Sequence, residues 1–237
     1  IIWDDGREAG ANYEDIYIQH INDEGDIELN PDGQIVCDAA RQQFSSLLKI
    51  NDAGDIFAAW GDKRDGSIGI YIQIYDENAN EVLAENGEIV YYGLSGNAEN
   101  FVLKNKGNKS IVFWQDTRNA SIATQIYFQI MNNDGMFDFI EDGIPITEMT
   151  GFDQLNLDVA VSGSEDEIAV VWEENRSGSA NKQVFAQAVD MQGNQLWGQS
   201  GIQLAQFESS QVLPSVSALT IDNEAEYYFA WEDQRSG

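Results

Sequence analysis

Apolar residues in this sequence occur in short runs that alternate with polar residues and are separated by turns rich in Gly, Asn and Asp. The runs contain many β-branched and aromatic residues, which is typical of β-strands. They predict successive groups of four strands. In the C-terminal part of the chain, the four predicted strands cover 183–189, 202–205, 213–221 and 225–231. No apolar stripe of helical period extends over a dozen residues, so we expect little helix.

An internal repeat is the strongest signal in the sequence. Five tryptophans lie 57, 54, 58 and 59 residues apart, and each begins the phrase W-x-[DE]-x-R, called the first motif below. Its copies are Trp3, Asp5 and Arg7; Trp60, Asp62 and Arg64; Trp114, Asp116 and Arg118; Trp172, Glu174 and Arg176; and Trp231, Asp233 and Arg235. Recurrence at matched spacing indicates a repeat architecture.

A second motif, close to I-Y-x-Q, follows the first motif in four copies. Its glutamines are Gln19, Gln73, Gln129 and Gln187. A glycine then precedes another apolar stretch in each copy, at Gly33, Gly87, Gly143 and Gly201. A buried amide in an apolar strand must be hydrogen-bonded, so we expect these glutamines to belong to the fold and not to chemistry.

Four antiparallel strands in a repeat of 54 to 59 residues match the size of a β-propeller blade. The sequence therefore predicts an all-β propeller segment over 1–237, with units at about 3–59, 60–113, 114–171 and 172–230, and a fifth unit starting at 231–237. A string of small β-sandwich domains is the alternative, but a unit of this size buries too little surface to stand alone. We expect further blades of a larger ring to lie outside this sequence.

Composition narrows the classes of function. The chain has 41 Asp and Glu against 12 Lys and Arg, a formal charge of −29, which excludes a nucleic-acid-binding surface. One cysteine and one histidine exclude a disulfide framework and the His-pair metal motifs. No apolar run is long enough for direct membrane insertion, and the first residues do not resemble a signal peptide.

The residue types of the first motif suggest structural roles. Each Trp ends an apolar strand and should pack between blades, although an exposed platform for sugar is the functional alternative. The acidic residue should accept hydrogen bonds from its own turn. Five of the six arginines occupy the motif position and Lys never does, which favours a planar pairing with a carboxylate or with carbonyls. A ring of arginines that captures an anion remains open.

The two motifs resemble the tandem W-x-D-x-R-x-G and I-Y-x-Q propeller repeats of large secreted and cell-surface proteins of Bacteroidota, many of them exported by the type IX system. The third copy departs from this pattern because Asn119 and Ala120 replace the Gly. The resemblance implies an extracellular or cell-surface segment of a larger polypeptide. A weaker similarity to the Asp-box of sialidase-type propellers implies an anionic-sugar hydrolase.

Little in the sequence breaks the repeat, as a catalytic centre should. Acidic pairs such as Glu141 and Asp142, the run 165–167, or Glu173 and Glu174 fit glycoside hydrolysis by residue type alone. No cofactor is predicted, and calcium held by loop carboxylates stays open. We therefore expect no catalytic residues and a non-catalytic extracellular scaffold or recognition module that binds a protein or a glycan. The alternative is a sialidase-like propeller glycoside hydrolase acting on an anionic sugar.

Overall fold

The computed structural model describes residues 1–7, 13–93, 96–119, 122–163, 166–176, 181–206 and 209–235. These residues form antiparallel strands in five sheets and no helix. The sheets are, in chain order, β1 (Ile2–Asp5), β2 (Asp15–Ile18) and β3 (Gln34–Cys37); β4 (Gln43–Ile50), β5 (Ile56–Asp62), β6 (Gly69–Tyr75) and β7 (Glu88–Tyr91); β8 (Ala98–Lys106), β9 (Lys109–Asp116), β10 (Gln125–Met131) and β11 (Ile144–Pro145); β12 (Leu155–Val161), β13 (Glu167–Glu174), β14 (Gln183–Asp190) and β15 (Ile202–Gln203); and β16 (Gln211–Ile221) with β17 (Glu224–Asp233).

The all-β propeller fold predicted from the sequence is confirmed. Each of the three complete sheets is a four-stranded meander, with the order of strands in space following their order in the chain. The runs predicted at 183–189 and 213–221 correspond to β14 and β16, while the run at 202–205 is a strand only over Ile202–Gln203. We call each sheet a blade.

The first strand of each complete blade lies at the inner edge of the assembly. β4 contacts β8, β8 contacts β12, and β12 contacts β16, so successive blades meet along these inner strands. The fourth strands, β7, β11 and β15, are short and form the opposite edge. The chain follows the same course in every blade. Each inner strand therefore begins at the end of the molecule where the first motifs lie, and we call this end the motif end.

The core lies between the blades. Strands β6 and β10 are buried along their whole length, as expected for strands that pack on both faces. The indoles of Trp60, Trp114 and Trp172 are fully buried. Tyr91 of one blade stacks on Trp114 of the next with ring centroids 5.5 Å apart, so the motif tryptophan joins neighbouring blades.

The repeated glycines are explained by the same tryptophans. Gly143 has φ of 68°, a region that residues with a Cβ rarely adopt. A Cβ at this position would stand 2.6 Å from the Trp114 ring and 2.5 Å from the carbonyl oxygen of Phe128. Gly87 and Gly201 lie against Trp60 and Trp172 in the same way.

Nowhere in the described ranges does the chain form a helix with the length and apolar character that a membrane crossing requires.

Candidate functional site

The carboxylate of the first motif binds the other two motif residues. In the second copy, Oδ2 of Asp62 accepts hydrogen bonds from Nε1 of Trp60 at 3.0 Å and from Nε of Arg64 at 2.9 Å. Oδ1 of Asp62 accepts from the backbone N–H of Arg64 at 2.7 Å, which closes the turn. The two-residue spacing between carboxylate and arginine is what allows one carboxylate to bind both the side chain and the backbone of that arginine.

Four of the five motif arginines also reach the carbonyl that precedes the repeated glycine. Nη2 of Arg118 donates to the carbonyl oxygen of Asp142 at 2.8 Å, and its guanidinium lies over the ring of Tyr127 at 4.1 Å. The same carbonyl contact is made by Arg7 to Asp32, Arg64 to Asn86 and Arg176 to Ser200. The arginine, the glycine and the second-motif aromatic therefore form one structural unit per blade.

Arg64, Arg118 and Arg176 are turned into the protein and away from solvent. The side chain of Arg118 is 19% exposed and that of its partner Asp116 is fully buried. Desolvation lowers the pKa of Arg118, but the hydrogen bond to Asp116 and the charge interactions with Asp116 and the neighbouring tyrosines together outweigh it, and the pKa is raised overall. Arg235, at 56% exposed, is the most open of the five. The geometry leaves the guanidinium groups occupied by protein acceptors.

The second-motif glutamines fix the loop on the outer side of each blade. Gln73 is buried, and its Nε2 donates to the carbonyl oxygen of Ala84 at 3.0 Å. Its Oε1 accepts from the backbone N–H groups of Ile74 and Leu83 at 2.9 and 3.2 Å. The equivalent contacts occur at Gln19, Gln129 and Gln187.

A feature that the sequence analysis missed lies at the motif end of every inner strand. β4, β8, β12 and β16 each contain a β-bulge near their start, where two residues lie outside the ladder with the second strand. The first bulge residue has positive φ in all four: Ser45 at 55°, Asn100 at 44°, Asn156 at 53° and Leu213 at 52°. The bulge directs backbone N–H groups toward the preceding blade.

In three of the four bulges, the residue directly after the motif tryptophan of the preceding blade accepts these N–H groups. Asp4 accepts from Ser45 at 2.7 Å and from Ser46 at 3.1 Å. The Oε1 atoms of Gln115 and Glu173 accept from Asn156 at 3.0 Å and from Leu213 at 2.7 Å, respectively. We call this residue the bulge acceptor.

The fourth bulge, in β8, has no bulge acceptor because the corresponding residue is Gly61. Glu99 pairs with Gln115 and Val102 with Phe113, so Asn100 and Phe101 lie outside the ladder as in the other blades. Among the described residues, no side chain accepts a hydrogen bond from either backbone N–H group. The repeat is broken at this junction.

A groove of about 530 Å³ opens at the same junction, between the starts of β4 and β8. It is lined by two aromatic residues, Phe44 and Phe101, and by polar residues of both bulges together with Glu99. Glu99 is exposed, and the other inner strands have Phe44, Leu155 or Val212 at its position. The groove therefore combines apolar faces, amide and hydroxyl groups and one off-repeat carboxylate.

The acidic pairs considered from the sequence are separated by the structure. Glu173 and Glu174 are neighbours on β13 and point to opposite faces, as alternation in a strand requires. Glu174 binds Trp172 and Arg176, whereas Glu173 binds Lys182 at 2.7 Å. The pair Glu141 and Asp142 lies in the loop bound by Arg118, and residue 165 lies outside the described residues.

Glu173 binds three donors at the motif end. It accepts hydrogen bonds from Lys182 Nζ, from Asn156 Nδ2 at 2.8 Å and from the N–H of Leu213. Desolvation raises the pKa of Glu173, but these three donors outweigh it and the pKa is lowered overall. Such a group stays ionised and holds the β12 and β16 bulges in place.

The remaining candidates do not form a site. His20 is exposed at the end of the second motif. Cys37 is fully buried, and desolvation raises the pKa of its thiol to about 12, which leaves the reactive thiolate unpopulated at neutral pH. Within the described ranges, no group of three or more His, Cys, Asp and Glu side chains is arranged to hold a metal ion.

Comparison with known proteins places the chain among propellers. No protein-family model matches the sequence, and no curated protein matches it significantly. The structure is similar to an α-L-arabinanase of Penicillium chrysogenum complexed with arabinobiose, with a TM-score of 0.51 and 15% identity over 89% of this chain and 64% of that one. A family 93 α-L-arabinofuranosidase of Fusarium graminearum, solved with arabinobiose, matches with a TM-score of 0.45 and 11% identity over 94% and 60%.

At these low sequence identities, the structural similarity shows the fold. The chain spans about 64% of the length of the Penicillium arabinanase. It also corrects the expectation of a non-catalytic scaffold or recognition module. The propeller that matches this chain over 89% of its length is a carbohydrate hydrolase in complex with a sugar. The scaffold interpretation is therefore wrong, and the glycoside hydrolase alternative is the better supported of the two.

Proposed function

We propose that this chain is a propeller segment of a glycoside hydrolase and that the groove between β4 and β8 binds a sugar unit of its substrate. The observation that carries the proposal is the break in the repeat at this groove. Gly61 and Glu99 replace, at one junction only, residue types that the other described junctions use for packing or for binding a bulge. A reaction centre is asymmetric, so it belongs where the scaffold departs from its own repeat.

The lining of the groove suits a carbohydrate. Ligand sites in proteins combine apolar and aromatic surface with a few placed polar groups that fix orientation. Phe44 and Phe101 offer ring faces to the apolar face of a sugar, while Ser45, Ser46 and Asn100 offer hydroxyl, amide and backbone groups to its hydroxyls. The arabinanase with a similar fold contains a bound arabinobiose, which supports a glycan as the ligand here.

Hydrolysis of a glycosidic bond requires two carboxyl groups on either side of it. Glu99 is the carboxyl group in the groove lining, and among the described residues it has no hydrogen-bond partner. We assign it the role of proton donor to the leaving oxygen. Asp4 binds the N–H groups of Ser45 and Ser46 at the junction of β1 and β4, outside the groove, so it is not assigned as the second carboxyl group.

The test is hydrolysis of arabino-, xylo- and galacturono-oligosaccharides by this chain, followed by chromatography of the products. We expect cleavage of at least one series, and a loss of at least 100-fold in kcat in Glu99→Gln with the affinity retained. Glu88→Gln, on the outer strand β7, is the matched control and should keep full activity. Failure of the wild-type chain to bind any of the three series, or full activity in Glu99→Gln, would overturn the proposal.

We also propose that the protein acts outside the cell. The motif resemblance to secreted Bacteroidota repeats supports this, as does the charge of −29 on a carbohydrate-active fold. Immunoblotting of culture medium, surface and cytoplasmic fractions of the source cells tests it. Recovery of the protein in the cytoplasmic fraction alone would contradict it.

A further inference from the structure

We propose that the substrate of the groove is an acidic glycan and that the backbone N–H groups of Asn100 and Phe101 bind the carboxylate of a uronic acid unit. The inference rests on the proposed function and specifies its substrate class. It is based on the four inner-strand bulges of this molecule. Three of them bind an acceptor side chain of the preceding blade, and the bulge in β8 does not.

Two of the three intact bulges bind a carboxylate, and the third binds the amide oxygen of Gln115. In β4, both N–H groups bind one carboxylate, with Ser45 donating to Oδ2 of Asp4 and Ser46 to Oδ1. In β16, the single available N–H group binds the carboxylate of Glu173, since Pro214 supplies no second donor. Successive N–H groups in a left-handed bulge form a concave site that favours anions, and hydrogen bonds to a charged acceptor are stronger than neutral ones.

The β8 bulge has the same backbone geometry and lacks the acceptor. The φ angle is 44° at Asn100 and 55° at Ser45. In both strands, the ladder is interrupted by two unpaired residues, which follow Glu99 in β8 and Phe44 in β4. The bulge and acceptor are separated by 41 residues for Asp4 and Ser45 and by 40 for Glu173 and Leu213. Gly61 directly follows Trp60, as Asp4 follows Trp3, so position 61, which lies 100 − 61 = 39 residues before Asn100, is the matching position, and it carries no side chain.

The ring of Phe44 fills the space that an acceptor side chain at position 61 would occupy. A Cβ on Gly61 would stand 2.9 Å from the ring of Phe44, which covers this glycine and forms one wall. The groove continues past the ring to Asn100 and Phe101, where a ligand carboxylate can approach from solvent.

The local charge permits an anion despite the acidity of the chain. Nζ of Lys63 lies 5.0 Å from the centre of the Phe44 ring, beside the groove. It donates to the neutral Oε1 of Gln42, so its charge is not cancelled there by a carboxylate. Distant acidic residues are screened beyond about 8 Å at physiological ionic strength, so the near charged side chains are Lys63, which favours an anion, and Glu99 of the groove lining, which opposes it when ionised.

The experiment compares trigalacturonic acid with its neutral methyl ester by titration calorimetry on this chain. We expect at least tenfold tighter binding of the acid, and shifts of the Asn100 and Phe101 amide resonances on addition of the acid but not of the ester. The double variant Phe44→Leu with Gly61→Glu copies the residue pair Leu155 and Glu173 of the β12–β13 pair and supplies the missing acceptor. It should lose the preference for the acid.

Phe44→Leu alone is the matched control, because it removes the ring and leaves the N–H groups free. It should keep the ratio of the two affinities while weakening both. Equal affinities for acid and ester in the wild-type chain would overturn this inference and leave the proposed function standing, whereas absence of binding by acid, ester and neutral arabino-oligosaccharides would overturn both. An unchanged preference in a folded double variant, judged by its melting temperature, would also overturn the inference.

Discussion

Nη2 of Arg118 donates a hydrogen bond to the carbonyl oxygen of Asp142 across 24 residues of chain, at 2.8 Å. The contact joins the turn after β9 to the loop before β11, which also contains Gly143. One guanidinium thus ties the second, third and fourth strands of a blade together at one end. Because the blade is short, this contact is a substantial part of what closes it.

Replacing Arg118 with lysine should therefore destabilise the protein. Lysine keeps the charge but cannot reach Asp116 and the carbonyl of Asp142 at once, because it lacks the planar fork. Weakening this pair leaves the negative charge of the fully buried Asp116 without a full counter-charge. We therefore expect the free energy of unfolding to fall by about 2–4 kcal/mol. Urea denaturation measures it.

Arg235→Lys is the control for that experiment. The Arg235 side chain is 56% exposed, and exposed pairs contribute about 0–1 kcal/mol. If Arg118→Lys cost no more than Arg235→Lys, the structural role assigned to the buried arginines would be wrong.

Gly143→Ala should also destabilise the chain, for two separable reasons. An alanine at φ of 68° costs about 1 kcal/mol from the backbone alone, and its Cβ collides with the indole of Trp114. Gly25 has a positive φ of 88° but no atom within 4 Å of its Cβ position, so Gly25→Ala measures the backbone cost by itself. We expect Gly143→Ala to lower the melting temperature by clearly more than Gly25→Ala. Equal losses would show that the tryptophan does not require the glycine.

The fold could be predicted because its signals are local. Trp60 and Asp62 at the end of β5 and Arg64 just after it form their contacts within one turn, so the same residue types recur in each blade. The glycine at position 87 is further away but still falls within the same blade. Such contacts leave a fixed spacing in the sequence.

The candidate site could not be predicted in the same way. The bulge acceptors are Asp4, Gln115 and Glu173, three different residues whose partners lie 40 or 41 residues later in the next blade. Because Asp, Gln and Glu can each serve as the bulge acceptor, the sequence shows no fixed residue type at this position. Gly61 then looks like ordinary variation. Alignment of the five motif copies would have shown one glycine among polar residues, but its meaning depends on the β8 bulge.

Acid should remove the stabilisation that Glu173 supplies. Its pKa is lowered in the folded state, where the net effect of its three donors exceeds that of desolvation. The contribution is therefore complete above the unfolded pKa of about 4.3 and is lost as the pH falls through the folded value. Glu173→Gln should be destabilised at pH 7 and should approach the wild type progressively as the pH falls below the unfolded value.

Urea titrations at several pH values test this, with Glu88→Gln on an exposed strand position as the control. The control should differ little from the wild type at every pH. A gap between Glu173→Gln and the wild type that stayed constant down to pH 3 would contradict the assignment of an ionised, stabilising carboxylate.

Added salt should stabilise the whole chain, because the formal charge of −29 acts against the compact state. Raising the ionic strength from about 0.01 M to about 1 M shortens the screening length from about 30 Å to about 3 Å and relieves this repulsion. Salt also weakens exposed pairs such as Lys109 and Asp138, but these contribute about 1 kcal/mol at most. The melting temperature should therefore rise by several degrees in sodium chloride.

Since no described group of carboxylates is arranged to hold a metal, calcium and magnesium chloride at equal ionic strength should raise the melting temperature equally. A calcium-specific rise would point to a metal site, and a flat response to sodium chloride would show that self-repulsion does not limit the stability of this fold.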